Sequence, residues 1–369
     1  MSEAQLEIQA IAMVTAVACA LPGAFLVLRR MALMSDAISH SILLGIVLAF
    51  FVVGTVGSPL LIFGAAIMGL VTVVLVEALA NTKRVGKDAA IGLVFPALFS
   101  IAVILIARFA DDVHLDVDAV LLGELAFAPF ERFVVNGYDL GPRALWVMGA
   151  ILGINVVGLA LFYKELKVAT FDAALAAALG FSPILVHYGL MSAVSVTAVG
   201  AFDAVGSVLV VALMIAPPAT AYLLSDRLSH MIGLSALIGV ASAIGGFWLA
   251  HWLDASIAGS MATIAGVLFG LAFLFASDRG LVAQRRRRQR QRWEFAQEML
   301  VVHLLHHEGL PEADEENRVA HLQEGLRWDG GFTDEVVGRA RRRALISERD
   351  GLLTLTDVGR DHARQSFAA

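Results

Sequence analysis

The sequence predicts an all-α polytopic membrane protein of about eight to nine transmembrane helices, followed by a small cytoplasmic α+β domain at the C-terminus. Three observations carry that prediction. Hydrophobic residues make up 58% of the 369 residues and charged residues only 16%, and the mean hydropathy is +0.77, well above a soluble domain. Apolar runs fill the chain as far as Phe275 and then give way to Arg-, Glu- and His-rich sequence, so residues 1–282 read as the membrane domain and 283–369 as a separate one. Lipid admits only segments that satisfy their own backbone groups, so runs of about 20 apolar residues read as helices.

In order along the chain, candidate spans cover residues 9–28, 35–53, 59–80, 89–107, 145–163, 185–204, 205–224, 230–252 and 260–275. The first run is preceded by Glu3 and Glu7 and by no Lys or Arg, so it reads as a retained anchor rather than a secretion signal. The stretch 185–224 is almost continuously apolar, but Gly200, Asp203, Gly206, Pro217 and Pro218 interrupt it. Two short spans, or one span and a re-entrant piece, both fit that pattern.

Basic residues accumulate on the cytoplasmic side of a membrane protein and so report orientation. Arg29 and Arg30 follow the first span, Lys83, Arg84 and Lys87 the third, Lys164 and Lys167 the fifth, Arg227 the seventh, and Arg285 to Arg288 the ninth. Every odd-numbered span thus ends in positive charge. This alternation predicts an N-terminus outside, a cytoplasmic C-terminus, and the acidic stretch DDVHLDVD (111–118) outside. The single cysteine, Cys19, has no partner in the chain, which excludes a disulfide framework and a cysteine-based zinc site.

The second span opens on MSDAISHS (34–41), where Asp36 and His40 fall one helical turn apart on one face. An acid within a span costs roughly 2.5 to 3.5 kcal/mol on the insertion scale, so Asp36 is expected to face protein or a water-filled cavity. Carboxylate oxygen with imidazole nitrogen suits a divalent transition metal such as zinc, manganese or iron. The same residues also fit a helix start, with Ser35 or Asp36 as the N-cap and His40 at the interface, and spacing alone leaves both readings open.

The stretch MALMSDAISHSILLGIVLAF (31–50) resembles the signature of the permease subunits of bacterial ABC importers for manganese, zinc and iron. Segments 87–108, 114–127, 163–183 and 206–224 resemble later blocks of that family in the same order, so the likeness spans nearly all of 13–275. The resemblance implies that Asp36 and His40 contact the transported Mn2+, Zn2+ or Fe2+ on the permeation path, with no resident cofactor. It further implies a coupling helix in ATFDAALAAALGFSP (169–183), read as a helix over 171–179 capped by Gly180, with Phe171, Asp172, Ala176 and Gly180 meeting the ATPase. Without the resemblance, that segment reads as an ordinary connector. No phosphate-cradling Gly-x-x-x-x-Gly-Lys-Ser/Thr stretch occurs, so ATP hydrolysis is expected on a separate subunit and the chain itself is not expected to be an enzyme.

Other polar positions invite less specific readings. Asp203, where the family pattern usually has no acid, reads as a cap at the outer surface or as a further ligand; His187, His251 and Asp254 read as interfacial residues. His114, Asp116, Asp118 and Glu124 in the acidic loop can attract a cation, or dock a delivery protein, or merely solvate the loop.

In the tail, RRRRQRQRWEF (285–295) is suited to anionic headgroups, with Trp293 at the lipid interface. Helical spacing in 332–346, a hairpin signal around Asp350 and Gly351, and a last helix from Thr356 resemble a winged helix of the kind found in metal-dependent repressors. Arg339 and Arg341 to Arg343 have the charge for phosphates, yet the acidic run EADEEN (312–317) and membrane tethering point to protein contact, and nucleic acid is not expected as a partner. His303, His306 and His307 share a helix face, as a cytoplasmic metal sensor or as exposed side chains of an amphipathic helix.

The function expected from these readings is the permease subunit of an ATP-driven metal importer in the bacterial inner membrane. It would work as a dimer with itself or a sibling permease, beside a cytoplasmic ATP-binding subunit and an extracytoplasmic metal-binding protein. The alternative is a membrane-tethered, metal-responsive regulator whose winged tail reads DNA.

Overall fold

The computed structural model describes residues 2–55, 58–109, 125–135 and 138–368. The chain divides into two compact units, Met1–Gly280 and Leu281–Ala369.

Among the described residues, the first unit holds nine helices long and apolar enough to cross a membrane. They are α1 (Glu3–Leu28), α2 (Leu33–Val53), α3 (Pro59–Asn81), α4 (Lys87–Phe109), α5 (Arg143–Leu161), α8 (Pro183–Val205), α9 (Ser207–Leu224), α10 (Leu228–Leu253) and α11 (Ile257–Phe275). Two short helices, α6 (Tyr163–Phe171) and α7 (Ala173–Ala178), join α5 to α8. A hairpin of β1 (Arg132–Val135) and β2 (Tyr138–Pro142) precedes α5.

The first helix begins earlier than its apolar run, because Ser2 and Gln5 form a reciprocal cap: Ser2 Oγ accepts from Gln5 N at 3.3 Å and Gln5 Oε1 from Ser2 N at 2.9 Å. The stretch 185–224 resolves into two full helices. Gly206 sits between them at φ 80°, ψ 164°, a conformation closed to side chains with a Cβ. Pro217 and Pro218 do not interrupt α9 but lie buried inside it, as membrane helices tolerate when neighbours enclose the freed carbonyls.

Burial ranks the helices. In its most apolar window α1 is 72% buried, whereas α5 is 11% and α4 17%, so α1 is central and α4 and α5 present most of their surface outward. Around α1 pack α5, α8, α9 and α10, while α2 packs on α3, α4 and α8. Small residues permit the close crossings: a Cβ on Gly23 of α1 would lie 2.1 Å from the Met214 carbonyl of α9.

Two polar clusters mark the opposite ends of this unit. At one, Arg132 of β1 bonds Glu7 of α1 and Asp139 of β2, each at 2.7 Å. There the Gly141 backbone N–H, and next the Arg132 guanidinium, hold the Asp139 carboxyl below the usual range. At the other end, Arg29 lies beside Thr170 of α6 and His187 of α8. The acidic positions His114, Asp116, Asp118 and Glu124 lie outside the described residues.

The second unit is built on α12 (Leu281–His307), followed by α13 (Ala313–Glu316), α14 (Val319–Gly325), α15 (Gly330–Arg342), the antiparallel pair β3 (Ile346–Arg349) and β4 (Leu352–Leu355), and α16 (Asp357–Ala368). Its core joins Leu300, Val301 and Leu304 of α12 to Val336, Val337 and Ala340 of α15, Ile346, Leu353 and Ala363. The hairpin turns on Asp350 at φ 53° and Gly351 at φ 76°, the pair of left-handed residues that a two-residue turn needs. Thr356 caps α16, its Oγ1 accepting from Gly359 N at 3.0 Å.

Trp293, read from the sequence as a residue for the lipid interface, has aromatic and cationic partners within its own unit. It stacks on Phe332 at 5.0 Å with the Arg339 guanidinium 4.3 Å above its ring, because α15 offers it an aromatic partner inside the unit. The arginines of α15 and the turn after it are matched to carboxylates: Arg339 and Arg342 to Glu335, Arg341 to Glu348, and Arg343 to Glu294.

Candidate functional site

Asp36 and His40 sit on the first two turns of α2, where the helix starts without a side-chain cap. Asp36 therefore does not serve as the N-cap. Instead its Oδ1 lies 3.4 Å from His40 Nε2, and the two side chains retain 37% and 28% of their exposure. The neighbours on α2, Ser35, Ala37, Ile38, Ser39 and Ser41, are buried, so one narrow face carries both polar groups outward from a packed helix.

The His40 ring is positioned by α4. It stacks on Phe95 at 5.8 Å and meets Phe99 edge-on at 6.0 Å. Ser41, on the opposite side of α2, accepts a 2.6 Å hydrogen bond from Thr72 of α3 and donates to the Ile38 carbonyl. The helix is thus held in rotation about its axis, and the Asp36–His40 pair, which has no other hydrogen-bonding partner among the described residues, keeps oxygen and nitrogen lone pairs available. Two such donors on one helix face can coordinate a divalent transition-metal ion, leaving its remaining positions to other groups.

A second carboxylate–imidazole pair was not apparent from the sequence. Glu77 of α3 contacts His187 of α8 at 2.5 Å, and its other oxygen accepts from Tyr188 at 2.9 Å. His187 Nδ1 lies 3.2 Å from Arg29, whose Nε donates to Thr170 of α6 at 3.1 Å. This chain of contacts ties α3, α8 and the end of α1 to the α6–α7 connection. The signal available was one acid in the apolar run LVTVVLVEALAN (70–81).

The α6–α7 connection departs from the single helix expected over 171–179. Phe171 closes α6, and Asp172 adopts an extended conformation so that its carboxylate can cap α7, accepting from Leu175 N at 2.9 Å. Gly180 ends α7 at φ 87°, with Phe181 N bonded to the Ala176 carbonyl at 3.0 Å. Phe171, Asp172 and Gly180 are exposed but Ala176 is fully buried, so the outward apolar face is Phe171, Leu175 and Leu179.

Asp203 is exposed near the end of α8, in the field of Glu131 and Arg143, and makes no contact with Asp36 or His40. His251 meets Trp248 edge-on at 6.1 Å, and Asp254 caps α10 in the left-handed region.

Nine candidate spans, a half-exposed donor pair on α2 and a short-helix connection clamped to three spans define a multi-pass helical membrane permease. The chain belongs to the ABC 3 transport family, which it matches over residues 2–276. It is 49% identical over 354 residues to the zinc transport system membrane protein TroD of Treponema pallidum (strain Nichols), 96% of each chain, a span that includes most of Leu281–Ala369. To the manganese transport system membrane protein MntD of Bacillus subtilis (strain 168) it is 49% identical over 271 residues, 73% of this chain and 92% of the relative. PsaBC from Streptococcus pneumoniae, solved in complex with Fab, resembles it with a TM-score of 0.62 at 26% identity, over 76% of this chain and 94% of that one. The family resemblance carried by residues 31–50 is borne out.

Proposed function

We propose that this chain is the membrane permease subunit of an ATP-driven importer of manganese, zinc or iron(II), and that the ion passes Asp36 and His40 at the boundary between two permease copies or between this chain and a sibling. The observation that carries the reading is the Asp36–His40 pair: partly exposed, held by Phe95 and Phe99, and among the described residues without hydrogen-bonding partners beyond each other. Relatives named for zinc and manganese transport support the class of cargo.

Contact with the ion at this pair is transient, because a site that binds too tightly cannot release its ion. Selectivity among the three metals then rests on geometry and supply rather than on donor type. The N-terminus lies outside and the C-terminus in the cytoplasm, as the basic residues after odd-numbered spans direct. On that orientation α6 and α7 face the cytoplasm. Phe171, Leu175 and Leu179 dock on a separate ATPase subunit, and an extracytoplasmic metal-binding protein delivers the ion. Movement of α6 reaches the spans through Thr170, Arg29, His187 and Glu77, so that closure of the ATPases alternates access to the path. In the second unit, α15, the β3–β4 hairpin and α16 make a winged-helix-like domain. Its arginines are engaged by its own carboxylates, which favours protein contact over phosphate binding.

The test is metal-dependent uptake by vesicles holding the chain with its ATPase, with and without ATP. Asp36→Asn and His40→Ala abolish uptake while leaving assembly intact. Normal uptake in both variants overturns the site, and uptake that ignores ATP overturns the energy source.

A further inference from the structure

The second unit gathers three potential metal ligands from two separate elements. His303 and His307 lie four residues apart on α12, with ring centroids 4.7 Å apart, and Glu316 at the end of α13 folds back onto them. One ligand atom from each of the three lies within 4.8 Å of the others. In a tetrahedral zinc site the ligand atoms stand about 3.4 Å apart, given metal–ligand distances near 2.1 Å. Small side-chain rotations therefore close the triad around an ion.

The surroundings resemble the outer shell of a metal centre more than a packed polar corner. His303 Nε2 lies 3.3 Å from the Glu316 carbonyl oxygen, which can only accept, so this nitrogen carries the proton and Nδ1 keeps its lone pair. His307 Nδ1 is buried and has no hydrogen-bond partner among the described residues. A buried imidazole nitrogen in that condition is costly unless something binds it. His321 of α14 holds the Glu316 carboxylate from the far side, Nε2 to Oε2 at 3.0 Å, and so orients it. His306, which shares the helix but not the cluster, is exposed and meets His307 edge-on.

We infer that His303, His307 and Glu316 form a binding site for a divalent transition-metal ion in the C-terminal unit, separate from the Asp36–His40 pair. Two imidazoles and one carboxylate suit zinc and neighbouring first-row cations and exclude magnesium and calcium as preferred occupants. An ion there cross-links α12 to α13 across the turn at residues 308–312, and so orders the start of the second unit. On the import reading proposed above, this site meets the ion after passage, so the chain carries a receptor for its own cargo.

The experiment uses the full-length chain purified in detergent, with Asp36→Asn and His40→Ala introduced so that the transport pair no longer contributes. Co2+ is the probe, read by its visible absorption and by equilibrium dialysis. The expected result is one Co2+ per chain, displaced by Zn2+, with affinity lowered at least about ten-fold by Glu316→Gln or by His303→Ala with His307→Ala, while His306→Ala changes nothing. Glu316→Gln preserves volume, and circular dichroism confirms that each variant is folded. Failure of the double-variant chain to bind Co2+, or binding unaffected by Glu316→Gln and by the histidine pair, overturns the site. Because the Co2+ readout does not depend on uptake, a failure of the import reading leaves this result standing.

Discussion

Among the described residues of the membrane unit two carboxylate–imidazole pairs occur, and they differ in what surrounds them. Glu77 and His187 are 21% and 17% exposed and enclosed by partners: Glu77 Oε2 accepts from Tyr188, its Oε1 lies against His187 Nε2, and His187 Nδ1 lies 3.2 Å from Arg29. Asp36 and His40 are more open, stand 3.4 Å apart, and among the described residues have no ion-pair or ring partner beyond each other and the rings of Phe95 and Phe99. The same two residue types thus serve as a clamp between helices where partners complete them and as an offered ligand set where partners are withheld. Occupied lone pairs stabilise a fold, whereas spare ones bind something.

The sharpest way to break this contrast is to remove the donors themselves. Asp36→Asn or His40→Ala should lower metal-dependent uptake by roughly 10- to 100-fold or more, with little change in the melting temperature of the detergent-solubilised chain. A large stability loss with uptake preserved would make α2's pair a clamp as well.

The reciprocal change comes next. His187→Ala leaves a Glu77 oxygen and an Arg29 nitrogen without partners, and should cost about 1–3 kcal/mol of stability, read by thermal unfolding in detergent. If it instead lowers uptake without affecting stability, the saturated pair is part of the path.

The aromatic support of His40 predicts a smaller effect. Phe95→Ala removes one ring contact worth about 0.5–1.5 kcal/mol, so uptake should fall roughly two- to ten-fold while binding at the C-terminal unit is untouched. Unchanged uptake would mean that α4 does not position the imidazole.

A third carboxylate pair, at the surface of the second unit, sets the lower end of the scale. Arg360, hydrogen-bonded to both oxygens of Glu308, holds that carboxyl below the ordinary value of 4.5. Because the folded value is depressed, the pair's contribution is present above about pH 4.5 and is lost as pH falls through the folded value. Amide exchange in α12 and α16 should therefore differ between native and Glu308→Gln chains at pH 7, and the difference should vanish in acid. Persistence of the difference at pH 3 would assign it to packing instead.

Much of the molecule was legible in its residues. Apolar runs of sufficient length located each of the nine candidate spans found among the described residues, because a helix in lipid needs little beyond length and hydrophobicity. Boundaries were less visible: the Ser2–Gln5 cap extends α1 by a turn and a half beyond its apolar run, and Asp172 splits one expected short helix into α6 and α7. The Asp36–His40 pair was readable because both members share one helix, four residues apart. Glu77 and His187 were not, since they are 110 positions apart and only the packing of α3 on α8 joins them. The stacking of Trp293 on Phe332 was hidden for a similar reason, its partner lying on a different helix.

The sequence by itself therefore determined the helical membrane class, the approximate position of the spans, the shared helix face of Asp36 and His40 and the hairpin at Asp350 and Gly351, and its resemblance pointed to the family. Tertiary structure decided which polar groups are met and which are left open: Glu77 by His187 and Tyr188, His187 in turn by Arg29, Ala176 by burial, and Glu316 by its return onto His303 and His307. The physical reason is range. Hydrophobicity, helix periodicity and turn geometry act over a few residues and can be read along the chain, while the saturation of a lone pair depends on whatever the fold brings beside it.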